Sequence, residues 1–165
     1  MATPIPVFLC GERHRGDDAA AFLAVELLAP ASRAQARIVV AGQMDALTLL
    51  DLPVDQPCIV VDAVAGVLPG SLVASSLERI ASAARQRAGI GATPPARSSH
   101  ELPIDQTLAL VSALRDGPVL GTFLGLGGVQ FELGAQPSPA VAAALPAFAL
   151  ALAREIDRLS ETETD

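Results

Sequence analysis

The stretch Cys58–Val64, CIVVDAV, sets one carboxylate, Asp62, among six apolar residues. Continuous, mostly β-branched apolar runs of this length are typical of strands covered on both faces, as in a parallel sheet. A carboxylate at the end of such a run is costly unless it is paired, solvated or bound to a metal. The stretch therefore predicts a central strand in which Asp62 is either a ligand or a carboxylate bonded to backbone N–H groups of its own turn.

Strand and helix patterns alternate on both sides of this stretch. The predicted strands are Ile5–Cys10, Arg37–Ala41, Cys58–Val64, Pro118–Leu126 and, at an edge, Gly70–Ser76. The predicted helices are Asp17–Leu28, Met44–Leu52, Pro103–Arg115 and a last helix from Ser138 to about Leu159. This alternation predicts an α/β fold, a three-layer α/β/α sandwich with a mainly parallel, twisted sheet between the helix layers.

The chain contains no internal repeat and no linker that would divide it. We therefore expect a single domain over residues 1–165, with a core at about 5–159 and an acidic tail at 160–165. Residues 81–99 are rich in Ala, Arg, Gly, Pro and Ser, and their second half predicts a mobile loop. Long loops of this kind are usually functional, and the segment near 88–99 could close over a substrate.

Composition excludes several classes of protein. The net charge is −7 and only 3% of the residues are aromatic, so neither nucleic acid nor an anionic membrane surface is an expected partner. Cys10 and Cys58 lie in apolar runs, which predicts buried free thiols in a reducing compartment. No signal peptide is apparent, and the apolar stretch Pro139–Ala153 is too short to span a membrane. These features predict a cytoplasmic protein.

The segment Gly11–Asp18, GERHRGDD, joins the first strand to the first helix. Its two glycines resemble the frame of a phosphate-binding loop, but Asp17 and Asp18 stand where Lys and Ser or Thr are needed. Two carboxylates would repel phosphate, so nucleotide binding is disfavoured. Asp17 as N-cap with Asp18 in the first turn explains the pair structurally. The functional alternative is that Asp18 stays ionised and faces a cation.

His100 precedes the helix Pro103–Arg115, whose positive end favours the neutral, metal-binding imidazole. A partly exposed loop histidine is the structural alternative. Ligands in open α/β sheets bind outside the carboxyl ends of the strands, where both Asp18 and Asp62 are predicted. Together with His100 they could supply two oxygens and one nitrogen, a set that suits nickel, zinc or manganese with positions left open.

Other chemistries fail on sequence. His100-Glu101 begins like a zinc-protease motif, but Ile104 stands where the second histidine is required. The chain has no Gly-x-Ser-x-Gly elbow and no CxxC motif. Gly125–Gly128, GLGG, ends a late strand and opens no helix, so it is not a dinucleotide fingerprint.

At this point the chain resembles the hydrogenase maturation proteases. Gly11 with Arg15-Gly16-Asp17-Asp18 is similar to that family's opening motif, and CIVVDAV to its second. SSHELPIDQTLALVSAL resembles its histidine motif with the following helix, and GLGGVQFELGAQPSPAVAAALPAF its C-terminal signature. The resemblance covers roughly residues 5–155, with the motifs in the same order.

The resemblance implies an endopeptidase, aspartic-type or metal-dependent, that removes a C-terminal extension from the nickel–iron hydrogenase large-subunit precursor after nickel insertion. It also implies that Asp18, Asp62 and His100 bind the metal and carry catalysis. The nickel would be supplied by the substrate and guide recognition, and zinc or another divalent metal could occupy the same site. Our own hypothesis is that the scissile bond lies beside the metal and that Asp17 orients Asp18 or caps the helix. The oligomeric state is not implied.

Two departures from the family pattern stand near the site. Glu12 replaces the usual Asn, and Ala19-Ala20-Ala21 replaces a Gly-containing turn. Glu12 could add a carboxylate to the site, act as a base, or mark a divergent relative. The alternative function is therefore a non-catalytic chaperone that binds a hydrogenase subunit or a metal. A metal-dependent hydrolase of small molecules is a third possibility.

Overall fold

The structure, a computed structural model, describes residues 3–89 and 103–162. Its five strands are β1 (Ile5–Cys10), β2 (Ala36–Gly42), β3 (Cys58–Val64), β4 (Leu72–Ser76) and β5 (Gly121–Gly127). They form one sheet in the order β2-β1-β3-β5-β4, in which only β4 is antiparallel to its neighbour. The mainly parallel sheet and the edge position of β4 confirm the sequence-based expectation.

The helices cover both faces of this sheet. A 3₁₀ helix at Gly16–Ala19 leads into α1 (Ala20–Glu26), followed by α2 (Pro30–Ala34), α3 (Ala46–Leu50), α4 (Leu77–Gly89), α5 (Ile104–Arg115) and α6 (Pro139–Thr162). α1 and α6 pack on one face and α3, α4 and α5 on the other. The predicted α/β/α sandwich is therefore confirmed.

The pleat of β1 and β3 divides the core in two. Val7, Leu9, Ile59 and Val61 belong to the cluster beneath α1 and α6, and their neighbours Phe8, Cys10, Cys58 and Val60 to the opposite cluster. Both strands are buried on both faces because helices cover both sides of the sheet, which accounts for their continuous apolar runs.

Several predicted boundaries differ from the observed ones. Residues 17–28 form a 3₁₀ turn and a short helix ending at Glu26, and Pro103 is the N-cap of α5 instead of lying in its first turn. α4 occupies the first half of the segment 81–99, for which the sequence predicts no element, and includes residues 88 and 89 of the predicted loop. The remainder of that loop, 90–99, lies outside the described residues.

The last helix is longer than predicted. α6 continues to Thr162, so residues 160–162 are helical where an acidic tail is expected, and 163–165 lie outside the described residues. Within the described part of the chain, α6 alone is long and apolar enough to cross a membrane, by length and composition, although its first part, Pro139–Ala153, is too short by itself. Its Val141, Phe148 and Leu152 are buried in the core, as in an amphipathic helix that covers a sheet.

Candidate active site

The candidate site lies where the sheet changes its direction of winding. In the sheet order β2-β1-β3-β5-β4, β1 and β3 are neighbours. The chain leaves β1 toward β2 on one side and leaves β3 toward β4 and β5 on the other side, so the two connections run in opposite directions. In open α/β sheets the ligand crevice forms at this switch point, outside the carboxyl ends of the strands. The segment 11–18 follows β1 and Asp62 lies near the end of β3, so both parts reach the predicted edge.

Asp18 is held by a backbone hydrogen bond within its own turn. The Glu12 N–H donates to Asp18 Oδ2 at 3.0 Å. Gly11 makes this turn possible, since its φ is +93° and a Cβ there would lie 2.2 Å from the Asp18 carbonyl oxygen. Burial raises the pKa of Asp18, as does the neighbouring charge of Glu12, while the Glu12 N–H opposes the rise. Asp18 Oδ1 accepts no hydrogen bond from any described residue.

Asp62 is a partly buried carboxylate on the same face of β3 as Val60. The Ala63 N–H donates to Asp62 Oδ1 at 2.8 Å, which is the own-turn bond considered as the structural alternative. That bond engages only one oxygen, and Oδ2 accepts none from the described residues. Burial, and to a smaller extent the charge of Asp18, raises the pKa of Asp62 to about 7 against the opposing Ala63 N–H.

A pocket of about 220 Å³ opens beside Asp62. Its walls come from the ends of β1, β2 and β3 and from the start of α5: Cys10, Gly42, Gln43, Met44, Asp62, Pro103 and Ile104. A carboxylate in such a setting loses solvation, which explains the raised pKa of Asp62 and favours a cation nearby. The pocket therefore provides room for a ligand next to this carboxylate.

His100 lies outside the described residues, so its predicted place in the site stays a prediction. Pro103, three positions later in the sequence, lines the pocket beside Asp62. Within residues 3–89 and 103–162, no three His, Cys, Asp or Glu side chains lie close enough to hold a metal ion. The described part of the site is thus a pair of carboxylates, each with one oxygen engaged and one free.

Asp17 does not cap its own helix, contrary to the sequence-based expectation. Arg15 precedes the 3₁₀ turn, without a side-chain cap, and Asp17 is fully buried inside that turn. Its carboxylate instead accepts the N–H groups of Val129, Gln130 and Ser138 and the Ser138 hydroxyl, at 2.6–3.0 Å. These four bonds lower the pKa of Asp17, although burial, the largest single influence, acts to raise it.

The sequence carries only indirect signs of this arrangement. The partners of Asp17 are mostly backbone N–H groups, which any residue type except proline supplies. Gly128 is one sign, because a Cβ at that position would lie 2.8 Å from the Asp17 Cβ. Ser138, which caps α6 by accepting the Val141 N–H at 3.4 Å, is another.

The remaining charged residues of the 11–18 segment face solvent. The Glu12 side chain pairs with Arg15 at 3.2 Å, and both are largely exposed. Arg13 pairs with Glu26 and lies over the Phe22 ring. Glu12 thus contributes its N–H to Asp18 while its carboxylate is turned to Arg15.

Both cysteines are buried free thiols, as predicted. Burial raises the pKa of Cys10 and of Cys58 well above the ordinary thiol value. Neutral, buried thiols are poor nucleophiles, which disfavours a Cys–His mechanism at either residue.

A larger groove, of about 780 Å³, lies at the amino ends of β3 and β5, on the side of the sheet opposite to Asp18 and Asp62. It is formed by residues before β3 and β5 and by the end of α6, among them Gln56, Leu120 and Arg158. The Arg158 guanidinium is engaged by Glu155 at 2.6 Å. Neither Asp18 nor Asp62 lines this groove, so its size alone does not make it the active site.

No family model matches this sequence, and no curated protein matches it. Solved structures do match its fold. The NiFe hydrogenase maturation protease HybD from Thermococcus kodakarensis is 18% identical, with 92% of this chain and 98% of that chain covered and a TM-score of 0.63. The hydrogenase maturating endopeptidase HybD from Escherichia coli is 18% identical, with coverages of 91% and 90% and a TM-score of 0.64.

A third solved structure, the hydrogenase 2 maturation peptidase from a Thaumarchaeota archaeon, is 23% identical. The match covers 94% of this chain and 99% of the archaeal chain, with a TM-score of 0.58. The chain therefore has the fold of the hydrogenase maturation proteases over nearly its whole length, which is the fold that the resemblance implied.

Proposed function

We propose that the protein is an endopeptidase that removes the C-terminal extension of a nickel–iron hydrogenase large-subunit precursor after nickel insertion. The observation that carries the proposal is the pair Asp18 and Asp62 at the switch point of this fold. Both carboxylates are partly buried, each keeps one oxygen free of hydrogen bonds from the described residues, and a pocket lies beside Asp62.

The donor set fits a divalent ion that arrives with the substrate. Carboxylate oxygens bind nickel or zinc, and His100 is proposed as the third, nitrogen ligand. A raised pKa at Asp62 means that this carboxylate gains from a nearby positive charge. A set of two or three protein ligands leaves coordination positions for the precursor, which suits a metal that the substrate already holds.

The residues of this chain would act mainly by position. Asp18 and Asp62 would hold the metal-bearing part of the precursor at the carboxyl edge of the sheet, so that its C-terminal extension lies across the site. Nickel held there with the substrate would supply Lewis acidity toward the scissile carbonyl. The Glu12 and Ala63 N–H groups keep the two carboxylates oriented when the substrate binds.

The two buried thiols and the exposed Glu12–Arg15 pair take no part in this scheme. We also propose that the protease is of the aspartic or metal-dependent type and acts in the cytoplasm. Its partner would be the large-subunit precursor, recognised with the guidance of nickel.

The test is the intact mass of a nickel-loaded large-subunit precursor from the same source after incubation with this protein. The proposal predicts loss of one C-terminal peptide. An unchanged mass with stable association of the two proteins would favour the maturation chaperone. Neither cleavage nor association would mean that the chain has this fold but acts on another partner, as a small-molecule hydrolase would.

A further inference from the structure

Asp17 is a buried carboxylate outside the proposed ligand pair, and its two oxygens accept four hydrogen bonds. The residue is 0% exposed, and no cation pairs with it among the described residues. Oδ2 accepts the Val129 N–H at 2.8 Å, the Gln130 N–H at 3.0 Å and the Ser138 hydroxyl at 2.9 Å. Oδ1 accepts the Ser138 N–H at 2.6 Å. A buried charge with this many donors is stable in one geometry only.

The backbone around Asp17 is tied to the same segment. The Asp17 N–H donates to the Gln130 carbonyl at 2.7 Å, and the Gly16 N–H to the Ala135 carbonyl at 3.1 Å. In return, the Gly134 N–H donates to the His14 carbonyl at 2.7 Å. The turn after β1 and the segment between β5 and α6 are therefore one hydrogen-bonded unit.

Asp18 belongs to this unit through the chain. Asp17 and Asp18 lie in the same four-residue 3₁₀ turn, Gly16–Ala19. Asp18 in turn receives the Glu12 N–H, so the direction of its carboxylate depends on where the 3₁₀ turn sits relative to Gly11 and Glu12. A shift of Asp17 would displace Asp18 relative to Asp62, which is on a different strand.

We propose that Asp17 is a positioning residue, which fixes the Asp18 carboxylate relative to Asp62 by latching the 3₁₀ turn to residues 128–138. The metal part of this proposal rests on the proposed function, since it takes Asp18 as a ligand. The latch itself does not, because it consists of hydrogen bonds within the protein.

The test compares Asp17→Asn with Glu155→Gln in the full chain. The amide in Asp17→Asn keeps the volume of the side chain but places an NH₂ group against N–H donors. At least one of the hydrogen bonds from Val129, Gln130 and Ser138 is therefore lost. Glu155 is a partly buried carboxylate that accepts from Thr122 and Arg158 at the opposite edge of the sheet, which makes it a matched control for a general loss of stability.

Two readouts distinguish positioning from a purely structural role. The first is hydrogen exchange of the Glu12 amide, which donates to Asp18 and has no contact with the latch bonds themselves. We expect its protection to fall in Asp17→Asn and to stay unchanged in Glu155→Gln. The second is calorimetric affinity for Ni²⁺, which should fall in Asp17→Asn alone, by no more than the roughly 10- to 100-fold typical when a direct partner of a metal ligand is lost, since Asp17 acts on Asp18 through the chain.

The outcomes separate the two claims. If wild-type protein does not bind Ni²⁺ but the Glu12 amide loses protection in Asp17→Asn, the latch stands, and Asp18 and Asp62 do not hold free Ni²⁺ without the substrate. If only the amides of Val129, Gln130 and Ser138 lose protection, Asp17 is merely structural and the proposal is overturned. Should Asp17→Asn not fold, Ser138→Ala, which removes the hydroxyl bond to Asp17 and the cap of the Val141 N–H, should show a smaller change at the same Glu12 amide; no change there would also overturn it.

Discussion

Asp18, in the 3₁₀ turn that follows β1, lies close enough to Asp62, near the end of the neighbouring strand β3, for their charges to interact. After burial, the charge of Asp18 is a further cause that raises the pKa of Asp62, to about 7. One hydrogen bond from the backbone holds each carboxylate, and the second oxygen of each accepts none from residues 3–89 and 103–162. This pairing is costly for the isolated protein, because like charges that lose solvation repel, and it is relieved by a cation.

Replacing either carboxylate by its amide should abolish cleavage while the fold is kept. Asp18→Asn and Asp62→Asn keep the side-chain volume but remove a metal-binding charge. We expect cleavage of the nickel-loaded precursor to fall by more than about 100-fold, beyond the 10- to 100-fold typical for loss of a partner of a ligand. Single-turnover cleavage followed by mass would measure this, with Glu155→Gln as the control. Residual cleavage within about tenfold of wild type would exclude the altered residue as a ligand, since it falls short of even that smaller effect.

The same Asp62 predicts an unusual dependence of stability on pH. Between its ordinary pKa of 3.8 and its folded value of about 7, the folded state binds more protons than the unfolded state. Stability due to Asp62 is therefore present below about pH 4 and lost as the pH rises toward 7, by at most about 4 kcal/mol. Urea unfolding of metal-free protein at several pH values should show this decline; Asp62→Asn should remove the part due to Asp62, while the raised pKa of Asp18 leaves a further decline. The lowered pKa of Asp17 acts in a separate window, below 3.8.

Gly11 should be essential for the site because of a close approach as well as its backbone angle. Gly11→Ala would place a Cβ 2.2 Å from the Asp18 carbonyl oxygen and 2.9 Å from Asp18 Oδ1. Gly66→Ala is the matched control, since Gly66 also has a positive φ of +82° but nothing lies within 4 Å of its Cβ position.

We expect Gly66→Ala to cost about 1–2 kcal/mol, the usual penalty for a left-handed residue with a side chain. Gly11→Ala should cost about 1–3 kcal/mol more, from overpacking, and should weaken Ni²⁺ binding, which Gly66→Ala should not. Equal losses of stability in denaturant unfolding would show that the turn yields easily and that the close approach is unimportant.

The two thiols, Cys10 and Cys58, should take no part in cleavage of the precursor. Burial keeps Cys10 and Cys58 protonated and shielded, although Cys10 lines the pocket. Native protein should react with a thiol reagent orders of magnitude more slowly than unfolded protein, and reagent-treated native protein should retain cleavage. Rapid labelling of Cys10 together with loss of cleavage would instead indicate an accessible nucleophile or a thiol ligand.

The strands that frame the site could be predicted to the residue because their burial is nearly complete. β1 and β3 are covered on both faces, so every position but Asp62 and Pro6 is an apolar residue, and Gly11 ends the first run. The position of Asp18 and Asp62 at one edge followed from parallel strand order alone. These predictions depend on local composition and on a rule of topology.

Elements without a strong apolar contrast were harder to predict. α4 buries mainly Leu77, Ala81 and Ala84, and alanines at helical spacing do not stand out in a chain rich in alanine. The N-cap prediction for Asp17 is wrong for a different reason. Its partners follow it by 112 to 121 residues and are recognised mainly through their backbone, so no local pattern encodes them.

The most direct test of the central claim is the dependence of cleavage on nickel. Large-subunit precursor with the same C-terminal extension would be prepared with and without nickel, incubated with this protein, and examined by intact mass. We expect only the nickel-loaded precursor to lose its C-terminal peptide, and Asp18→Asn to prevent this loss. Equal cleavage of both precursors would contradict the proposed function. Cleavage of neither precursor by folded wild-type protein would also contradict it.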